Sequence, residues 1–326
     1  MTSATSVSAI SRVWTQHRRE LSVAIAYAAL LVVLLIARPV FFAPANLRDL
    51  FVSAAPALVA AVGMTLVILT RQIDISIGSQ FAICGVVVGV LAKSGMPMPV
   101  AALGAIAAGA LLGLVNGVFV AGLGLPAIVV TLATMVGMRE ALRWATEGVW
   151  VQDLPRQFQW LGFDQDTGRF VIPLLALAVW LAARWSLRHI AGGRAVYATG
   201  SNAEAARLVG LRPRRVVFGV FVLMGALTGL AALLSVIQFV DVQTNAGVGL
   251  ELKVIAAVVV GGTAISGGRG SLFGTLLGVL LLSTAGPALT FLGAAAAWDR
   301  ALEGLIILLA VAADALHSGT KRSATT

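Results

Sequence analysis

Apolar residues run almost unbroken along this chain, interrupted only by short clusters of Gly, Pro, Arg and Asp. The apolar stretches fall at 21–38, 50–70, 75–92, 98–121, 125–144, 170–187, 216–240, 251–265, 272–292 and 299–316. A helix needs about 20 residues to cross a hydrocarbon core, and most of these stretches are that long. They predict an all-α, polytopic membrane protein of about ten transmembrane helices. The stretches 75–92 and 251–265 are short and rich in Gly and Ser, so a broken or re-entrant helix is expected at either. The organisation that follows is a tail over 1–20, one transmembrane domain over 21–316 with a long polar loop at 188–215, and a second tail over 317–326.

Composition strengthens this reading. Of 326 residues 59% are hydrophobic and 11% charged, with a mean hydropathy of +0.96, whereas about a quarter of a soluble domain is charged. Arg18 and Arg19 before the first stretch resemble the start of a signal peptide. No small-residue cleavage site follows and further spans do, so the first helix is read as uncleaved. The lone cysteine, Cys84, lies within an apolar run, which excludes a disulfide framework or cysteine metal site and leaves packing.

The net charge of +9 does not point to nucleic acid, because the basic residues lie between spans. With the N-terminus in the cytoplasm, Arg12, Arg18, Arg19, Arg71, Arg184, Arg188, Arg194, Arg207, Arg212, Arg214, Arg215, Arg269, Lys321 and Arg322 fall inside, and nine of the 23 basic residues fall outside. The positive-inside rule therefore places both termini and the 188–215 loop in the cytoplasm.

Small-xxx-small spacings occur at Gly85/Gly89, Gly109/Gly113/Gly117, Gly225/Gly229 and Gly274/Gly278. Helices associate in lipid through close backbone approach, so a tightly packed bundle is expected; pore-lining glycines are the alternative. Laying Thr65–Phe81 over Ala257–Phe273 matches four residue types, too few in so restricted an alphabet to establish a repeat.

The polar loops hold the candidate chemistry. In SNAEAARLVGLRPRR, Ser201 and Glu204 have the spacing of a capping box, Ala205, Ala206, Arg207 and Leu208 favour helix, Gly210 suits a left-handed terminus and Pro213 blocks continuation. Two helical turns are expected, with Ala205, Leu208 and Val209 on one face. That ridge fits a groove on a partner or rests on the bundle and headgroups. The run GGTAISGGRGS lacks the Lys and hydroxyl of a phosphate-binding P-loop, and is read as a tight cytoplasmic turn between packed helices, with a part in lining an inner gate as the alternative. Asp74 is placed to cap the helix that follows it. Glu251 is expected to pair with Lys253 or to shape the outer mouth. Asp74, Glu251, Asp299 and Glu303 all map near helix ends, which gives little support to a proton relay. Trp150 and Trp160, in the polar segment 146–169, suit either a docking surface for a solute-binding protein or an interfacial aromatic belt. The three histidines, His17, His189 and His317, flank the spans and form no catalytic or metal constellation.

EAARLVG, Glu204 to Gly210, resembles the EAA---G motif of bacterial ABC-importer permeases. GMTLVILTRQIDISIGS (Gly63 to Ser79), NGVFVAGLGLPAIVVTLATM (Asn116 to Met135), the segment Gly193 to Gly210 that ends in YATGSNAEAARLVG, and GLELKVIAAVVVGGTAISGGRGS (Gly249 to Ser271) are similar to the ribose, xylose, rhamnose and autoinducer-2 branch, in order, over nearly all of 46–315. Arg71-Gln72 stands where that family often has two glycines, and with the VWVQDLP run this leans toward the rhamnose or autoinducer-2 subgroup. The resemblance implies a non-enzymatic permease subunit, dimeric with itself or a sister permease, that imports a small sugar-like solute by alternating access. It implies a periplasmic solute-binding protein and a cytoplasmic double-cassette ATPase; ATP and Mg belong to that ATPase, and no cofactor to this chain. Ser201, Glu204, Ala205, Ala206, Leu208, Val209 and Gly210 would then couple to the ATPase. Asp74, Ser76, Gly78, Ser79, Asn116, Gly117, Pro126, Thr131, Glu251, Gly261, Gly262, Gly267 and Gly268 would be the gate or pathway candidates. An ion-coupled secondary transporter is the principal rival, and a structural membrane protein a third class; neither accounts for the EAA---G helix.

Overall fold

The computed structural model describes residues 4–293 together with 298, 301, 304, 305 and 308. The tenth expected span, 299–316, lies mostly outside these, as do Asp299, Glu303 and His317. Among the described residues eleven α-helices make up the body: α1 Ala4–Ala37, α2 Pro44–Leu69, α3 Ile77–Lys93, α4 Met98–Gly117, α5 Ala127–Thr146, α6 Gln165–His189, α7 Ala191–Ser201, α8 Ala203–Leu208, α9 Pro213–Val236, α10 Leu250–Val260 and α11 Leu272–Leu292. Among the described residues six helical segments are long and apolar enough to cross a membrane, and the β-structure amounts to one isolated bridge, Val151 to Val242. α1 extends the first expected span back to Ala4, through the tail.

Polar and helix-ending residues set the boundaries. Asp164 opens α6, where its carboxylate accepts from the Thr167 amide at 3.0 Å and hydroxyl at 2.7 Å, and these donors hold its pKa below the usual carboxylate range. Ser271 caps α11 through the Phe273 and Gly274 amides. Pro44 and Pro213 sit in the first turns of α2 and α9, where a missing N–H costs nothing.

α2 is the axis of the bundle. Its most apolar window is 94% buried, and α6, α9, α10 and α11 pack around it. The remaining long helices keep broad apolar faces outward, as with Leu103, Leu111 and Val129, which is the arrangement that lipid as solvent favours. The small-residue stripes lie at helix crossings. A Cβ on Gly109 or Gly113 of α4 would overlap the backbone of Gly225 or Phe221 in α9, and one on Gly225 or Gly229 would overlap Gly109 or Ala105. Gly274 and Gly278 of α11 meet Gly261 and Ala257 in the same way. Gly85 and Gly89 instead accommodate the side chains of Val236, Val242 and Val151. Cys84 is fully buried in this core.

Two chain breaks complete the architecture. Residues 70–76 separate α2 from α3, and residues 261–271 separate α10 from α11. α10 has eleven residues, about 16 Å at 1.5 Å per residue, or half of a ~30 Å hydrocarbon core. Residues 237–249 before it are irregular chain, joined to the polar segment after α5 by bonds from the Val151, Leu154 and Trp160 amides to the Val242, Val240 and Ile237 carbonyls. The Gly-rich stretch 251–265 thus holds one short helix and the turn that ends it, and 75–92 a helix preceded by irregular chain.

Candidate translocation and coupling site

The basic connection between α6 and α9 is more structured than its sequence suggests. α6 ends at His189, and Gly193 lets α7 turn back so closely that a Cβ there would strike Leu187 and Ser186. α7 runs to Ser201, so Ser201 ends one helix and does not cap the next. The expected capping box is therefore not formed. Asn202, in extended conformation, takes that role: its side-chain oxygen accepts from the Glu204 and Ala205 amides, both at 3.0 Å. The stop signal is as expected. Gly210 has φ +83°, and the Gly210 amide donates to Arg207 and the Leu211 amide to Ala206, each at 3.0 Å, which is a Schellman closure. On this two-turn helix Ala206 is buried, Glu204 and Ala205 are exposed, and Leu208 and Val209 stand out at 89% and 75% exposure.

The end of α7 is wedged against both chain breaks. A Cβ on Gly200 would overlap the Leu69 carbonyl, and one on Gly268 would lie 2.6 Å from Ser201 Cα. The Gly268 amide donates to the Leu69 carbonyl at 2.9 Å. Arg71 donates from Nη2 to the Ser201 carbonyl at 2.6 Å and itself has φ +64°. Gly262, Gly267 and Gly268 also take positive φ, and Gly261 supplies the close contact with Gly274. The expected tight glycine turn is therefore present, and it is joined to the break after α2. Displacement of α8 has a direct covalent and hydrogen-bonded route, through Asn202 and Ser201, to both interruptions.

Beyond Arg71 the chain enters a buried polar network. Asp74, Ser76, Gln80 and Asn116 are each 0% exposed. Asp74 accepts from the Ser76 amide at 2.9 Å and from the Ser76 hydroxyl, and from Gln80 Nε2 at 3.2 Å. Ser76 Oγ in turn accepts from Gln80 at 2.7 Å and from Asn116 of α4 at 2.8 Å. Asp74 thus closes a turn on Ser76, the N-cap residue of α3, and does not itself cap the helix as expected, since no side chain bonds the free amides of its first turn; this helix end lies buried inside the protein. Thr131 of α5 donates to Ala127 at 2.8 Å and reaches the Ile73 carbonyl at 3.4 Å. Pro126 precedes α5 as its N-cap, and Gly117 lies against Phe218.

Where α3 begins, the chain meets α10. A Cβ on Gly78 would collide with the Gly247 carbonyl and with Glu251 Oε2, so the glycine brings α3 and α10 together. Ser79 donates to the Met135 carbonyl of α5 at 2.7 Å. Beside these residues opens a cavity of about 310 Å³, walled by α3, the last turns of α5 and the chain before α10. Its polar lining includes Arg139, Glu140, Arg143, Thr244 and Asn245, and Trp150 also lines it. Glu251, 8% exposed, pairs with Arg139 of α5 at 3.7 Å. The expected partner Lys253 is replaced because Lys253 is only two positions away on α10, and residues so spaced do not face each other on a helix.

Gathered here are Asp74, Ser76 and Asn116 in one network, Gly78 and Ser79 in the wall of one cavity with Glu251 against Gly78, and Ser201, Gly267 and Gly268 at one junction. Residues missed by sequence reasoning are Gln80, Arg139, Gly200 and Asn202. The i, i+4 pair Ser76/Gln80 in an apolar stretch is a signal that points to Gln80; Arg139 has no comparable one.

The sequence profile of a family described as "Branched-chain amino acid transport system / permease component" matches residues 46–311. The autoinducer 2 import system permease protein LsrC of Enterobacter sp. (strain 638) is 37% identical over 290 residues, 89% of this chain and 84% of that protein. LsrC of Salmonella typhi is 36% identical over 293 residues, 90% and 84% of the two chains, and that of Escherichia coli (strain K12 / DH10B) 35% over 304 residues, 92% and 87%. No solved structure matches. A helical bundle with several membrane-crossing helices, matched from α2 to beyond α11, thus belongs to the branched-chain amino acid transport system permease family, as a multi-pass inner-membrane subunit of an ABC importer.

Proposed function

We propose that this permease imports autoinducer-2 or a closely related sugar-like solute, delivered by a periplasmic binding protein and driven by a separate cytoplasmic ATPase of double-cassette type. The substrate named for the relatives supports this reading. The cavity supports it as well, since Arg139, Arg143, Thr244 and Asn245 suit a hydroxylated solute better than a branched aliphatic side chain. Both termini and α7–α8 lie in the cytoplasm under the positive-inside rule, the bundle has ten spans, and two permeases form the translocation path between them.

The observation that carries the coupling is the α7–α8 unit. It offers Leu208 and Val209 outward while Gly200 and Ser201 touch the two breaks inward. ATP-driven closure of the cassettes draws α8 with it, α7 pulls on the 70–76 and 261–271 segments, and α3 and α10 shift around the solute. The chain holds and releases the solute and makes no covalent bond; ATP and Mg act on the ATPase.

The test is autoinducer-2 uptake by cells carrying the permease with its ATPase and binding protein. Uptake should stop on ATP depletion with the ion gradients clamped. Persistence of gradient-driven uptake would instead make this an ion-coupled carrier. Ser201→Cys should react with an impermeant thiol reagent only from the cytoplasmic side.

A further inference from the structure

We infer that Arg139 and Glu251 form a subsite that reads a hydroxyl group of the solute, a step that rests on the import reading above and assigns it two residues. The pair sits beside the 310 Å³ cavity, Arg139 in its wall and Glu251 behind Gly78, another wall residue. Its geometry is that of a pair left open. At 3.7 Å the groups attract each other without a hydrogen bond, which requires about 2.7–2.9 Å between charged partners. Arg139 Nη2 and Glu251 Oε2 are both buried and both without a hydrogen-bond partner. Buried charged atoms are costly when unsatisfied, and this protein holds a donor and an acceptor in that condition next to a cavity of mixed polar and apolar lining.

A hydroxyl answers both at once, since its oxygen accepts from the guanidinium while its proton goes to the carboxylate. A cation satisfies only Glu251, and an anion only Arg139. A purely aliphatic solute satisfies neither. Thr244 and Asn245 supply further hydrogen-bonding groups to the lining, which also includes Trp150. This chemistry selects a compact polyol or sugar. The contact between Gly78 and Gly247 fixes the chain just before α10, and so fixes Glu251, whose Oε2 lies against the wall residue Gly78.

The experiment uses the full-length permease in membranes with Val248→Cys, a lining position at the same cavity, as a reporter, the native Cys84 being fully buried. A thiol reagent is applied with and without added autoinducer-2 or L-rhamnose, and uptake of the same probes is measured in the assembled importer. One probe should slow labelling. Glu251→Gln, nearly isosteric, and Arg139→Lys should each raise the concentration needed for protection by about tenfold or more, the scale of one charge-assisted hydrogen bond, with membrane levels checked by immunoblot. Protection without uptake keeps the subsite and refutes the import reading. Absence of protection by both probes, with or without uptake, overturns the subsite. Unchanged protection in both variants does so too, and so does full recovery of uptake in an Arg139→Glu/Glu251→Arg exchange, which would make the pair a plain interhelical latch.

Discussion

Arg71 donates a 2.6 Å hydrogen bond to the carbonyl of Ser201, 130 residues further along the chain. This contact ties the break after α2 to the helix end that precedes α8. Arg71 has φ +64°, a region that non-glycine residues enter at a cost of about 1–2 kcal/mol. Glycine would take this turn without strain, but only the arginine side chain makes the bond to Ser201.

Arg71→Ala should therefore lose both ways, keeping the unfavourable φ and giving up the hydrogen bond. Arg71→Gly should recover the backbone and lose only the bond. Thermal unfolding in detergent should rank wild type above Arg71→Gly and Arg71→Gly above Arg71→Ala, with a gap of about 1 kcal/mol at the last step. Equal stability of wild type and Arg71→Ala would show that the contact contributes nothing.

The α4–α9 crossing makes a sharper stability prediction. Gly113→Ala and Gly225→Ala place a methyl into facing backbone and force the helices apart. Each should cost about 3 kcal/mol or more, because overpacking is added to lost interhelical contact. Gly137→Ala in α5 meets nothing within 4 Å and should be neutral or slightly stabilising by helix propensity. A loss at Gly137 as large as that at Gly113 would mean that glycine content matters here, and not the crossing.

In the buried network Asp74→Asn and Asp74→Ala should part company. Asparagine keeps an oxygen for the Ser76 amide, and Gln80 can turn its amide to accept from the new NH2 group. Alanine leaves the Ser76 amide and hydroxyl without their acceptor, at about 1–3 kcal/mol per orphaned buried group. Melting temperature and uptake should fall far more in Asp74→Ala, and the pH dependence of uptake should stay unchanged in Asp74→Asn. An altered pH profile in Asp74→Asn would assign this carboxyl a role in proton movement.

These residues also show how far the sequence carried. Long apolar stretches placed α2 to α6, α9 and α11 within about six residues, and the end of α1 though not its start at Ala4, since lipid demands continuous runs of a known length. Glycine spacing located the crossings before any partner helix could be named. The Ser201/Glu204 pattern placed the start of α8 one residue early, because Asn202 and Ser201 are both competent caps and only the extended φ of −156° at Asn202 decides between them. α7 was not legible: its first turn holds Gly192 and Gly193, and Val196 and Thr199 are β-branched. It is helical because Gly193 and Gly200 allow close packing. The Arg139–Glu251 pair joins positions 112 residues apart, as their numbering shows, and no local pattern records such a meeting.

The last prediction concerns transmission of force through α8. Leu208 and Val209 are exposed where Ala206 is buried, so a charge at position 208 leaves the permease's own packing intact while spoiling an apolar docking ridge. Gly210→Val acts differently, since a β-branched residue strongly resists φ +83° and the Schellman closure at Leu211 and Ala206 is lost. Leu208→Glu should insert and unfold like wild type, yet fail to co-purify with the ATPase. Gly210→Val should assemble weakly and lower the melting temperature modestly, by about 1–3 kcal/mol of backbone strain. Both should abolish stimulation of ATP hydrolysis by loaded binding protein and stop uptake. Adding Ala206→Glu, which forces a charge into the packed side, should instead destabilise the whole permease. Normal ATPase recovery and normal uptake in Leu208→Glu and Gly210→Val together would reduce α8 to a surface turn, and the route from Asn202 through Ser201 to Arg71 and Gly268 would then have no input.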